Sequence, residues 1–421
     1  MTMHISHLPA EILLNIKPFL NKKDWSKAVT TLSLESVRGS ISVDLDEDQS
    51  LKYCADPEFR DATNKTVVYP SKQISLDLHK TSFADIADYL EYISSIYTLD
   101  LSNCSGITDV SAFSRIHTLD LSNCSGITDV SALGRVHKLT LYCCEGITDV
   151  SALGRVHTLD LSGCQGVTDV SALGRVHTLD LSGCQGVTDV SALGSVNTLK
   201  FSFCDNITDV SALGRVNTLI CQHCPNITNV SALSNVHTLD LSYCQGITDV
   251  SGLGGVYDLN LSNCILVTDV SALGGVHTIS LSRCRAITDV SALGNVHTLY
   301  LYYCDNITDV SALGSVHTLA LNSCHSLRDV SALGGVYNLD LSCCGGISDV
   351  SALGGVHKLT LRDCHKITDV SALGGVHTLF LEGCNKIKDV SALANVHILD
   401  ISRCPRITNK SLLTNVKKLL C

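Results

Sequence analysis

A twenty-residue unit recurs sixteen times, without one insertion or deletion, from Leu99 to Lys418. Its cleanest copy, residues 119–138, reads LDLSNCSGITDVSALGRVHK. Cysteine stands at Cys104 and at every twentieth residue thereafter to Cys404. A strict period of this length means a solenoid, because each unit is too small to bury its apolar face alone and must stack on its neighbours. A solenoid grows by addition, so 421 residues need no second core.

Within one unit, Leu139 and Leu141 alternate with polar residues, the period-two pattern of a short strand with one buried face. Cys144 and Ile147 then turn inward. The strand and two bends use about half the unit, so the second half, ITDVSALGRV in residues 147–156, has room for a 3₁₀ turn only. Aspartate occupies fourteen of sixteen places in the column Asp109 to Asp389, with Asn229 and Asn409 as exceptions. Placed before Val-Ser-Ala-Leu, it suits an N-cap whose carboxylate accepts the next N–H groups. A calcium ladder would need a companion acidic column, and none stands beside it.

A second column carries His117, His137, His157, His177, His237, His277, His297, His317, His357, His377 and His397. Cysteine and histidine run on separate lines of the solenoid. The lone C-x₂-C, Cys221 to Cys224, pairs an inward strand position with a ladder position. Packed thiols therefore account for the cysteines better than zinc, and no metal, cofactor or catalytic residue is expected. A side chain present in sixteen copies is scaffold rather than part of a triad.

The net charge of −11 falls almost wholly on the repeats. No basic stripe or membrane-length apolar run is visible, so neither nucleic acid nor membrane is an expected partner. The start MTMHISHLPAEI lacks the regions of a signal peptide, and 21 cysteines suit a reducing compartment. The expected location is cytoplasmic, with the nucleus open.

The unit resembles the leucine-rich repeat, L-x-x-L-x-L-x-x-(N/C)-x-L, with one extra residue before the last apolar position. Cysteine in the asparagine slot is similar to the cysteine-containing subclass of many F-box proteins. The short second half looks more like bacterial internalin repeats. The resemblance implies an α/β solenoid with a parallel sheet on the concave face and 3₁₀ turns on the convex face. Ahead of it, Leu8-Pro9-Ala10-Glu11-Ile12-Leu13-Leu14-Asn15-Ile16, followed by Phe19-Leu20 and Asp24, resembles the opening of the F-box nearly position for position. The later basic and aromatic part of that motif is missing at residues 30–35.

The expected division is a helical F-box-like module at 1–40, an irregular linker at 41–75, a capping repeat at 76–98, the sixteen repeats at 99–418 and a strand remnant at 419–421. The capping repeat should hold a helix around Phe83 to Ile93. This order is that of substrate receptors in cullin-based ubiquitin ligases, and the near-identical short repeats look most like those of large DNA viruses. The resemblance implies that Leu8, Pro9, Ile12, Leu13, Ile16 and Leu20 dock on a Skp-type adaptor, and through it a cullin. The alternative is a leucine-rich-repeat binding or structural protein with no ligase connection, its N-terminus only a cap.

The outward strand columns begin at Asp100, Ser102 and Asn103 and are uniform in the copies starting at Leu99, Leu119, Leu159 and Leu179. Later copies break the pattern with Tyr300, Tyr302 and Tyr303, then Arg362, Asp363, Phe380 and Glu382. An earlier group offers Lys200, Phe203, Ile220, Gln222, His223 and Tyr243. Exposed aromatics and arginine dominate binding hot spots. A protein target centred on Tyr300, Tyr302 and Tyr303, with Arg362, Phe380 and Glu382, is the expectation. An unused surface of recently duplicated repeats would carry the same variety.

Overall fold

The computed structural model describes residues 42–66, 73–82, 89–93, 96–104 and 106–421. The F-box-like residues Leu8, Pro9, Ile12, Leu13, Ile16 and Leu20 lie outside them. The chain divides into two compact units, Met1–Val167 and Thr168–Cys421.

In the first unit, β1 (Ser42–Leu45) pairs in parallel with β2 (Gln73–Asp77), and β2 pairs with β3 (Thr98–Asp100). Strands at Thr118–Asp120, Lys138–Thr140 and Thr158–Asp160 continue the ladder in register. Between β1 and β2 lie two helices, α1 (Glu47–Ala55) and α2 (Pro57–Thr66). The linker expected at 41–75 is thus corrected: most of it is a strand and two helices, and sheet pairing starts before Leu76.

The signals were local. Asp46 caps α1, its carboxylate accepting from Gln49 N at 3.1 Å. Asp56 caps α2 through Glu58 N at 2.9 Å, with Pro57 at the first helical position. Both helices are too polar to show an apolar stripe. They are held instead by Arg60, which donates to the carbonyls of Tyr53 (3.0 Å) and Cys54 (2.7 Å) and lies 3.7 Å from the Tyr92 ring centre. Of the helix expected at Phe83 to Ile93, the described part is α3 (Leu90–Ile93).

In the second unit thirteen short parallel strands, from Thr178–Asp180 to Lys418–Leu420, pair each with the next. The repeat around Thr278–Ser280 shows the logic. Ile279, Leu281, Cys284, Ile287, Val290, Leu293 and Val296 are all at most 2% exposed, seven buried apolar side chains in twenty residues. The turn is a 3₁₀ segment, Ser291–Asn295, as the short unit requires.

Turns of adjacent repeats nearly touch. A Cβ on Gly294 would lie 2.3 Å from the Ala312 carbonyl oxygen, so the close backbone approach favours glycine there, and the repeats with Ser114, Ser234 or Ala394 in this column must shift to admit a Cβ. Asp289 accepts from Ser291 N at 2.8 Å, two residues on, the bond expected of its column. The cap position of the turn is nonetheless Val290, so the aspartate forms an Asx-type bend leading into the turn.

Candidate functional site

The strand face of each unit is built by alternation, with leucines inward and the neighbouring columns outward. In the first unit the outward rungs are largely uniform. Asp100, Asp120 and Asp160 each accept from the serine N–H two residues on, at 2.8 Å. Tyr142, 46% exposed, is the main aromatic departure among these rungs.

The second unit carries the variety. Phe203, His223 and Tyr243 occupy one column on successive repeats, and their rings stack at 4.5 and 4.1 Å, within 13° of parallel. This column needs left-handed backbone throughout: Phe203 has φ 60°, His223 55°, Tyr243 63°, Arg283 63° and Tyr303 59°. Glycine at Gly183 and Gly383 and asparagine at Asn263 suit that conformation. Bulky side chains there cost roughly 1–2 kcal/mol each in conformational strain.

The expected target-binding residues form two separate groups. Tyr300 and Tyr302 meet at 5.7 Å between ring centres, and burial raises the Tyr302 hydroxyl above its ordinary pKa. Tyr303, 42% exposed, stacks under the Arg283 guanidinium at 4.9 Å. Further along, Arg362 lies 5.0 Å from the Phe380 ring centre, and its Nε is 3.5 Å from a Glu382 carboxylate oxygen. Arg403 approaches the other oxygen of Glu382 at 3.6 Å. In the earlier group, Lys200 is 4.0 Å from Asp180, and Gln222 donates to Asp240 Oδ2 at 2.7 Å. Ile220 is half-buried on the same strand face.

Sequence reading missed three contributors. Arg283 and Arg403 sit on the left-handed column, whose recurrent Asn and Gly were the available signal. Asn322, on the rung after Tyr302, donates to Asp340 Oδ2 at 2.9 Å, while its buried Oδ1 has no partner.

The cysteine column is chemically quiet. Each thiol from Cys204 to Cys404 donates to a carbonyl of the preceding repeat, such as Cys284 to Leu261 O at 3.0 Å. Burial pushes the Cys284, Cys304, Cys324 and Cys344 thiols up to about 12, far from the thiolate needed for attack or metal binding. Among the described residues, no group of three or more His, Cys, Asp or Glu converges as a metal site would require. Nor is any described helix long and apolar enough to cross a membrane.

A leucine-rich-repeat family profile matches residues 232–253. No curated protein matches the chain. Among solved structures, it is similar to the functional domain of InlJ from Listeria monocytogenes, described as including a cysteine ladder. Identity there is 22%, covering 78% of this chain and 73% of that one, with a TM-score of 0.50. An internalin, InlF, of the same organism shows 20% identity over 79% of this chain and 88% of its own, TM-score 0.35. A leucine-rich-repeat protein of Leptospira interrogans shows 15% over 79% and 98%, TM-score 0.49. With the repeat geometry above, the fold is a leucine-rich-repeat solenoid.

Proposed function

We propose that this chain is a non-enzymatic adaptor that holds a target protein on the strand face of residues 168–421 and docks on a Skp-type adaptor of a cullin ubiquitin ligase through residues 8–32. The observation that carries the binding role is the left-handed column. Phe203, His223, Tyr243 and Tyr303 occupy positions where glycine or asparagine would relieve strain; the rings of Phe203, Tyr243 and Tyr303 are exposed there and that of His223 is half-buried. Strain of this kind is characteristic of functional surfaces. Tyr300 and Tyr302 supply the hot-spot chemistry beside it. Support for the ligase connection is the match of Leu8, Pro9, Ile12, Leu13, Ile16 and Leu20 to the F-box opening. The viral style of the repeats points to a host protein as target. The reduced thiols of such a chain suit the cytoplasm.

The test is a pull-down with purified Skp-type adaptor and cullin, using the full chain beside a Leu8→Asp/Ile12→Asp variant. Capture by the parent alone is expected. Capture by neither folded chain overturns the ligase reading and leaves a binding solenoid. For the strand face, Tyr300→Ser and Tyr302→Ser should each weaken a bound target by about thirtyfold, the equivalent of about 2 kcal/mol. An unchanged affinity would remove these residues from the site.

A further inference from the structure

The histidine column of the second unit is a continuous stack of rings. From His237 through Tyr257, His277, His297, His317, Tyr337, His357 and His377 to His397, successive centres lie 4.4–4.8 Å apart and within 23° of parallel. Most of these rings are exposed, the others half-buried. His237, His277, His297, His317 and His377 meet the hydroxyl of the following threonine through Nδ1, at 3.1–3.3 Å. This leaves the Nε2 edge directed away from that contact. Neither the fold nor the proposed target face uses this edge: Asn197 and Asn217 fill the same column in intact repeats.

The aspartate column stands on the other side of each 3₁₀ turn, also exposed and also one residue per repeat. Asp269, Asp289 and Asp309 are held by Ser271 N, Ser291 N and Ser311 N at 2.8 Å each. These bonds keep the carboxylates ionised below the usual range. Both columns carry one group per twenty-residue repeat, so a row of imidazoles on one copy and a row of carboxylates on another offer the same number of groups per rung. We propose that in mildly acidic solution the ring ladder of one copy docks side by side on the aspartate ladder of a second copy of this chain.

The charges support that occupant. With histidines neutral the chain carries −11, so a second copy repels it at pH 7. Protonated imidazoles stacked at this spacing repel one another unless a counter-charge of the same period lies against them. The window lies below the ordinary imidazole range, since burial and neighbouring charges hold His297 and His397 down, and above the carboxylates, which the serine N–H bonds hold below theirs. Charged neighbours of the ring ladder are few: Asp258 and Lys358 at the strand starts, with Lys417 and Lys418 beyond His397. The turn-side column beside it, from Asn235 to Asn395, carries none. The aspartate ladder has Arg328 and Lys388 beside Asp329 and Asp389, so its cleanest stretch is Asp249 to Asp309. Because each copy carries both ladders on different sides, the contact is heterologous and runs on beyond a dimer.

The experiment is sedimentation velocity of the full chain at pH 7.5 and 5.5, in 50 and 500 mM salt. One variant replaces His277, His297 and His317 by Asn, and another replaces Asp269, Asp289 and Asp309 by Asn. Asparagine already occupies both columns elsewhere, at Asn217 and Asn229, so both variants keep the repeat. The parent should be monomeric at pH 7.5 and form a concentration-dependent series at pH 5.5 in low salt, lost in high salt. Each variant should stay monomeric at pH 5.5, and an equimolar mixture of the two should give a discrete dimer. A monomeric parent at pH 5.5 overturns the proposal, as does a mixture that forms no dimer. Variants that still associate, with optima moved in opposite directions, would mean collapse near the isoelectric point of about 5.8 instead.

Discussion

Raising the pH should unfold this solenoid through its thiols. Cys284 is fully buried and its pKa is pushed up to about 12 by burial, against about 9 for an exposed thiol. A group raised in the folded state gives stability that is complete below the unfolded pKa and is lost as pH climbs toward the folded one. At pH 10 an unfolded thiol is about nine-tenths ionised, so each buried one forfeits about 1.4 kcal/mol. Cys284, Cys304, Cys324 and Cys344 alone then cost about 6 kcal/mol, comparable to the whole stability of many domains. The assay is urea unfolding followed by circular dichroism from pH 7.5 to 10, under reductant, for the parent and Cys284→Ala. At pH 7.5 the variant should lose about 2 kcal/mol, from the lost sulfur and the cavity left behind. The Leu261 carbonyl keeps its bond from Cys264 N at 3.0 Å, so no orphan acceptor adds to that cost. By pH 10 the deficit should shrink to about 0.6 kcal/mol, because the variant has one thiol fewer to ionise on unfolding. Lysine and tyrosine titration cancels between the two chains. A deficit that does not change with pH would refute the reasoning.

Thiol reagents should modify three cysteines per folded chain, Cys143, Cys343 and Cys421, and the remainder only after unfolding. Cys343→Asn should lower that count by one and raise stability by roughly 0.5–1 kcal/mol, since asparagine tolerates its φ of 59°. Gly294→Ala should cost more than about 2 kcal/mol, because its Cβ meets the Ala312 carbonyl. Gly345→Ala, with nothing within 4 Å, should be neutral or slightly stabilising by the same urea measurement. In 500 mM salt, stability should fall between pH 7.5 and 5.5. Burial, then the neighbouring imidazoles, holds His297 below its ordinary pKa, so its contribution is complete above about pH 6.5 and lost below. His297→Asn should narrow that fall, and an equal fall in both chains would count against the assignment.

The repeat was legible because its period left one physical solution. Leu139 and Leu141 alternate, Cys144 turns inward, and ten residues cannot hold a helix and return to the next strand; the structure has each of these features. The stretch from Ser42 to Thr66 was not legible by period, since α1 buries only Ser50, Tyr53 and Cys54 and both helices are otherwise largely polar. Their evidence lay in single residues: Asp46 with Gln49, and Asp56 with Pro57. The left-handed column was half legible. Asn103, Asn123, Gly163 and Gly183 spell the conformation, yet Phe203 and Tyr303 hide it, because their rings read as surface and not as strain. Ring stacking along the histidine column was invisible, since a sequence gives the spacing of residues but not the side to which an exposed ring turns.

What each column tolerates then separates scaffold from function. The leucine, cysteine and valine columns cannot vary without opening a cavity. The turn glycines lie against the carbonyl of the next repeat, although Ser114, Ser234 and Ala394 stand in the same column, and the aspartate column supplies the bend before the turn. Variation falls on the outward strand columns, where the aromatic departures cluster, and on exposed turn and loop positions such as Arg135, Ser195, Asn235 and Gly255. The histidine column fits neither case. It is exposed, and asparagine, tyrosine and lysine all stand in it without disturbing the repeat, yet histidine fills eleven of its sixteen places. Packing does not require that uniformity, and a single contact point would not need so long a row. A partner with a charge at every rung would need it, and the chain carries such a row on the other side of its own turns.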